Sequence, residues 1–368
     1  MCSSQPARLT TILKLLSLLL VSCGVGSVRS SSTTTVHDNS TDMISLLDFK
    51  RAITNDSKQA LRSWHVGALL CRWKGVVCSG PKHPGRVMEL NLHFLSLSGT
   101  ISPSLGNLTF LRRLDLSSNG FTGEIPPFNR LQRLEYLYLS GNSLRGIIPD
   151  TLTNCSNLYG LFLSSNLLIG EVPSGIGRLS NLVWLYLGGN NLTGEIPPSL
   201  KNSSQLEYIL LDDNKLTGTI PDDLGKLPNL SELNLAENRL SGGIPETLYK
   251  YNQSSLQVLY LSSNMLGKTL PSYFGDAFLN LRYLSLEDNN FEGHLPASLG
   301  NISGLDWLSM SFNKFVGQVP SSFGNLGKLD YLNLQQNNLL GFIPIELGGL
   351  KQLTHLDLSD NNLQGGVP

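Results

Sequence analysis

The chain has 368 residues, with 27 Lys and Arg against 28 Asp and Glu and a formal net charge of −1, and no basic run that could track a phosphate backbone. Nucleic acid is therefore excluded as an expected partner. Length alone predicts two or three globular domains, but the 36 glycines and 18 prolines recur at fixed places in a repeat, and a solenoid lengthens without enlarging a central core.

Residues 1–27 read as a secretory signal. Arg8 and Lys14 precede the apolar run Leu15 to Val21, and Gly24, Gly26 and Ser27 offer a cleavage site. The run is too short to span a bilayer comfortably, and no later segment is apolar enough, so no membrane span is expected in the chain. Residues 28–40, with the polar stretch Ser30 to Thr35, read as a flexible segment.

Residues 41–86 form a different kind of sequence, expected to act as a cap. Met43 to Ile53 carries apolar residues at helical spacing, and Ser40, Thr41 and Asp42 precede it as candidate N-caps. Cys71 and Cys78 flank Arg-Trp-Lys-Gly-Val-Val and are close enough to pair in an oxidising compartment. Cys2 and Cys23 leave with the signal. Cys155, between Leu152 and Leu158, reads as a small buried residue rather than a reactive thiol. The helix, Trp64, Trp73 and the bridge would cover leucines that the first repeat otherwise exposes.

From residue 87 to 368 the pattern L-x-x-L-x-L-x-x-N-x-L-x-G-x-I-P recurs about every 24 residues, the signature of a leucine-rich-repeat solenoid. Its Asn falls at Asn119, Asn142, Asn166, Asn190, Asn214, Asn238, Asn264, Asn289, Asn313, Asn337 and Asn361, and Leu95 holds that place in the first copy. In Leu182 to Leu187, Leu185 and Leu187 alternate with Trp184 and Tyr186, so the leucines point inward and the rings outward. The Asn side chains should form a ladder that satisfies turning backbone; Gly194 permits the bend after Leu192 and Pro197 stiffens the exit. The expected fold is an α/β solenoid, a superhelix with a parallel concave β-sheet of twelve strands and a helical N-terminal cap. Around Lys250 to Asn280 two units run long and Lys268 replaces the motif glycine, predicting a looser bend or a protruding loop. The last repeat stops incomplete at Pro368, leaving Leu353, Leu356 and Leu358 uncovered, as in a fragment or a truncated product.

Catalytic signals are weak. His355, Asp357 and Ser359 alternate on one strand face, but parallel side chains about 7 Å apart do not converge as a triad must. The histidines lack metal-ligand spacing, no glycine loop cradles a phosphate, and Asp212-Asp213 offers calcium only two carboxylates that face opposite ways. No enzyme activity, cofactor or metal is expected.

The outward strand positions are richer. Tyr136, Tyr138, Phe162, Trp184, Tyr186, Tyr208, Tyr260, Tyr283, Trp307 and Tyr331 would line the concave face as an aromatic stripe. Aromatic residues on an exposed concavity have the composition of interface hot spots; alternatively, neighbouring rings stack across strands and stabilise the sheet. Glu89, Asp115, Asp212, Asp213, Glu232, Glu237, Glu287, Asp288, Asp357 and Asp360 lie on the same side against Arg113, a field that would steer a basic partner. Nine sequons begin at Asn39, Asn55, Asn107, Asn154, Asn191, Asn202, Asn229, Asn252 and Asn301. Four of them, Asn107, Asn154, Asn202 and Asn301, share one register off the concave strand, so glycans are expected on the other surfaces.

Thr41 to Lys50, Leu61-Arg-Ser-Trp64 and Cys71 to Cys78 together resemble the plant amino-terminal cap of leucine-rich-repeat receptor kinases, and Leu-x-Gly-x-Ile-Pro is the plant-type second half of the repeat. Ile101 to Thr109 looks like the immune subfamily that senses microbial patterns. The resemblance implies an ectodomain that binds a peptide or protein ligand on its concave face and pairs with a co-receptor kinase ectodomain. It would sit outside the cell, or on the outer face of the plasma membrane as part of a longer receptor. The membrane helix and kinase of that family are missing from this sequence, so a soluble receptor-like protein fits equally. The alternative is a secreted inhibitor of microbial cell-wall-degrading enzymes, similar to polygalacturonase-inhibiting proteins, whose cysteine-containing carboxy-terminal cap this sequence lacks.

Overall fold

A computed structural model describes residues 40–81, 83–250 and 255–366. The signal and most of the flexible segment, the sequons at Asn39 and Asn252, and Val367-Pro368 lie outside them.

The cap opens with α1 (Ser40–Arg51). Asp42, expected as an N-cap, does something else. It is fully buried, and its carboxylate accepts both a forked pair from Arg86, Nε and Nη2 each at 3.0 Å, and the Val87 N–H at 2.9 Å. Such a charge is tolerable inside only because guanidinium and amide neutralise it together, and it pins α1 to the first repeat. The helix also ends sooner than its spacing suggests. Ile53 already belongs to β1 (Ile53–Asp56), which pairs antiparallel with Leu97–Thr100. Below α1, Trp64 stacks on Trp73 at 5.4 Å, while Phe49 bridges Trp64 and Phe121 at 6.3 and 5.8 Å. Cys71 and Cys78 form a disulfide with Cα atoms 5.5 Å apart.

The cap strand β2 (Val76–Cys78) runs antiparallel to β3 (Val87–Asn91), and from β3 onward one strand per repeat adds in parallel, giving a 13-stranded sheet. The twelve repeat strands keep register, so Trp184 faces Gly160 on one side and Tyr208 on the other. Inward leucines such as Leu185, Leu187 and Leu192 are fully buried, forming one continuous core. The Asn ladder is present. Asn190 Nδ2 donates to Leu163 O at 3.1 Å and Leu187 O at 2.9 Å, and its Oδ1 accepts the Leu168 N–H at 3.1 Å.

Two further six-stranded sheets flank the solenoid, one ending at Asn191–Thr193 and one beginning at Ser241–Gly242. They were not foreseen, because the Leu-x-Gly half-repeat reads as a bend. Its buried leucine and exposed neighbours nevertheless alternate as a strand does, in Asn338–Phe342 for example. No looser bend appears at Lys268, and residues 251–254 of the stretch where a protruding loop is the alternative lie outside the described residues. Lys268 keeps the left-handed backbone of the missing glycine, φ 76°, within the strand Met265–Thr269, and a short helix, Glu246–Lys250, replaces the 3-10 turn of other repeats. In the last repeat Leu356 is 41 % exposed while Leu353 and Leu358 are half-buried.

Candidate functional site

The strand register brings five of the expected residues into one cluster on the concave sheet. Tyr136, Tyr138, Trp184, Tyr186 and Tyr208 are each half-buried, presenting part of a ring to solvent. Gly160 organises them. Its strand lies between those of Tyr136 and Trp184, and a Cβ there would meet the Tyr136 ring at 3.1 Å and the Phe162 ring closer still. The vacant side-chain volume is thus occupied by Phe162, which folds over Gly160, stacks on Tyr138 at 4.5 Å and 7°, and meets Tyr186 edge-on at 5.0 Å. Tyr136 and Tyr208 flank Trp184 at 6.2 and 6.4 Å.

Two members of the stripe are corrected by this packing. Phe162 is only 5 % exposed and Tyr260 3 %, so they brace their neighbours and offer a ligand no contact area. Tyr283, Trp307 and Tyr331 remain half-buried farther along. Trp307 and Tyr331 are parallel within 2° at 3.5 Å, and His355, not expected as part of the stripe, continues the stack at 4.4 Å. His355 lies on Tyr331, while the Asp357 carboxylate accepts the Ser359 hydroxyl at 2.6 Å and its N–H at 3.0 Å.

Charge is distributed unevenly. Glu232 sits on the strand beside Tyr208 and is only 7 % exposed. Burial, followed by the Glu232 charge, raises the Tyr186 and Tyr260 phenols; for Tyr208 burial leads, then Glu207 and Glu232. Tyr138 is pushed up to about 12 by burial, against the opposing pull of Arg113, whose guanidinium lies 4.6 Å over its ring. All these phenols stay protonated at neutral pH, so the cluster offers neutral donors and ring faces, with the nearly buried Glu232 at its Tyr208 edge. Asp212 lies against the open side of Gly188, whereas Asp213 occupies the left-handed turn at φ 50° and is exposed. The two carboxylates diverge, and among the described residues no cluster of three metal-ligating side chains occurs.

Cys155 is buried, and its Sγ donates to Phe128 O at 3.5 Å; burial pushes its thiol up to about 11. Asn107, Asn154, Asn202 and Asn301 each end a five-residue 3-10 turn off the concave strands. Asn55 lies on β1, Asn191 on a flanking strand, and Asn229 at the concave rim with Nδ2 3.3 Å from Ser204 O.

The pattern described as Leucine rich repeat matches residues 111–168, 132–192, 180–240, 254–315 and 319–363, and that described as Leucine rich repeat N-terminal domain matches 39–79. The chain belongs to the leucine-rich-repeat family. Among curated relatives of this leucine-rich-repeat protein, the LRR receptor-like serine/threonine-protein kinase EFR of Arabidopsis thaliana is 42 % identical over 122 residues, 33 % of this chain and 11 % of the relative. Among solved structures, a TDR receptor superposes with TM-score 0.70 at 34 % identity, covering 74 % of this chain and 47 % of the other. The Arabidopsis receptor kinase HAESA ectodomain, solved with an N-terminally extended IDA peptide hormone, gives 0.60 at 29 % identity, covering 88 % and 65 %. The leucine-rich-repeat chain thus spans about a tenth of that curated relative and about half of the TDR receptor chain. Its relatives are plant receptor kinases and receptor-like proteins, and no helix among its described residues is long and apolar enough to cross a membrane.

Proposed function

We propose that this protein is an extracellular recognition module of plant signalling or defence, and that the cluster around Trp184 binds an extended peptide or protein segment carrying a basic side chain. One observation carries the reading: five half-exposed rings share one surface of the concave sheet, and the nearly buried Glu232 borders it beside Tyr208. Ring area supplies the desolvated contact that dominates interface energetics. The carboxylate's field, focused by low-dielectric walls, favours a Lys or Arg over an acidic residue. Asp212 adds charge at the edge of the same surface. The HAESA complex supports a peptide as ligand class, and the cap disulfide supports an oxidising, secretory destination. A co-receptor kinase ectodomain is the partner we expect for a receptor of this kind.

The test is titration of candidate peptides against wild type, Trp184→Ala and Asp212→Asn at low and high salt. Trp184→Ala should cost about 2 kcal/mol of affinity if the ring is a hot spot. Asp212→Asn should slow association and flatten its salt dependence. Unchanged binding in both variants would place the ligand elsewhere, and preference for acidic peptides would remove the role given to Glu232.

A further inference from the structure

A cavity of about 380 Å³ opens at the rim of the concave sheet beside the cap. One wall is made by Ser79, Gly80 and His83, which lie between β2 and β3; the other is made by Phe110, Arg112 and Arg133, which precede successive repeat strands. Among the described residues of this segment, Ser79 N–H donates to Arg86 O at 2.8 Å and His83 N–H to Gly80 O at 3.2 Å. Gly80 borders open space, with nothing within 4 Å of where a Cβ would stand.

Three guanidinium groups meet here, and they differ in how they are neutralised. Arg86 is forked onto Asp42, and Arg112 pairs with Glu135 at 2.8 Å. Arg133 has no carboxylate within ion-pair distance among the described residues. It lies 4.1 Å over the Phe110 ring, which Arg86 also approaches at 4.3 Å. Stacking occupies the π-face of a guanidinium and leaves its in-plane N–H donors free. Arg133 is therefore a fork held by an aromatic ring at the wall of an open cavity, and it carries the unpaired positive charge of the three. A carboxylate, planar and able to accept two parallel hydrogen bonds, is its best geometric match.

We propose that this cavity is a carboxylate-binding site that takes an acidic side chain of a bound peptide or protein. It shares no residue with the Trp184 cluster and does not depend on what that cluster binds. Its charge is opposite to that of the concave face, so the two sites select different parts of a partner.

The experiment is calorimetric titration of the folded chain at low salt with acetyl-Gly-Glu-Gly-amide, its Gln counterpart and inorganic sulfate. The Glu peptide should bind and the Gln peptide should not. Arg133→Ala should weaken the Glu peptide at least tenfold, Arg133→Lys should restore only part because an ammonium has no planar fork, and Trp184→Ala should leave it unchanged. Failure of the Glu peptide to bind, equal binding of the Gln peptide, tighter binding of sulfate, or an unaffected Arg133→Ala variant would each overturn the assignment.

Discussion

The two aromatic runs of the concave sheet use the same residue types at the same register, yet they close differently. From Tyr136 to Tyr208 a glycine interrupts the column, Phe162 fills the gap, and the surrounding rings stand 6.2 and 6.4 Å apart with their faces partly open. From Trp307 to His355 no gap occurs, and the rings lie parallel at 3.5 and 4.4 Å. In the second run ring faces are consumed by one another, leaving edges at the surface. Sheet stabilisation and ligand contact compete for the same ring faces, and one missing side chain decides which wins.

The largest expected effect comes from removing the filler. Phe162→Ala should destabilise the protein by about 3 kcal/mol, the usual cost of deleting a buried aromatic ring, read as a lower urea midpoint. A midpoint equal to wild type would mean that Tyr138 and Tyr186 close over Gly160 unaided. Next comes the exchange of roles. Trp184→Ala should act mainly on ligand affinity, whereas Trp307→Ala should leave affinity unchanged and cost about 1 kcal/mol of stability, the scale of an aromatic pair. If Trp307→Ala abolished binding, the distinction between the runs would fail.

Alkaline titration sharpens the comparison further. Tyr138 rests on Phe162 and its phenol is pushed up to about 12, above its ordinary value of 10.0. The folded state then holds a proton that the unfolded chain has lost. This stabilisation is complete below pH 10 and disappears as pH rises through 12. In Tyr138→Phe the fall in stability across that window should shrink, and one late phenolate should vanish from the ultraviolet titration. The smallest expected effect concerns glycans: glycopeptide mass spectrometry of secreted protein should find Asn107, Asn154, Asn202 and Asn301 occupied, and enzymatic removal should leave peptide affinity unchanged, because these turns lie off the concave strands.

The solenoid was legible because its signals are local. Leucine spacing, the Asn register and Cys71 with Cys78 each act within one repeat or its neighbour, and each stands where the pattern places it. What the sequence hid depends on atoms from several repeats at once. Phe162 reads as one more outward ring, and its burial follows only when Gly160, Tyr138 and Tyr186 are known to surround it. Glu232 likewise looks like any surface carboxylate until three phenols are found beside it. Asp42 satisfies every rule for an N-cap, and only the return of the chain at Arg86 and Val87 gives it another task. The rim cavity needed the pairing of Phe110 with Arg133 one repeat later, a register the sequence contains but whose stacking it does not announce.

The Asn ladder has a direction. Asn190 reaches back to Leu163 O and accepts from Leu168 N–H, both in the preceding repeat, and Asn361 does the same with Leu334 O and Leu339 N–H. Each repeat therefore arrives with its own clasp for the one before it and leaves an amide waiting for the one after. Leu95 becomes intelligible: no earlier repeat precedes the first copy, so an amide side chain there would lack the preceding-repeat partners that the other copies use. During synthesis on the ribosome, where the chain emerges amino end first, every new repeat can be clasped as soon as its Asn is out. Assembly can thus keep pace with translation instead of waiting for the whole chain.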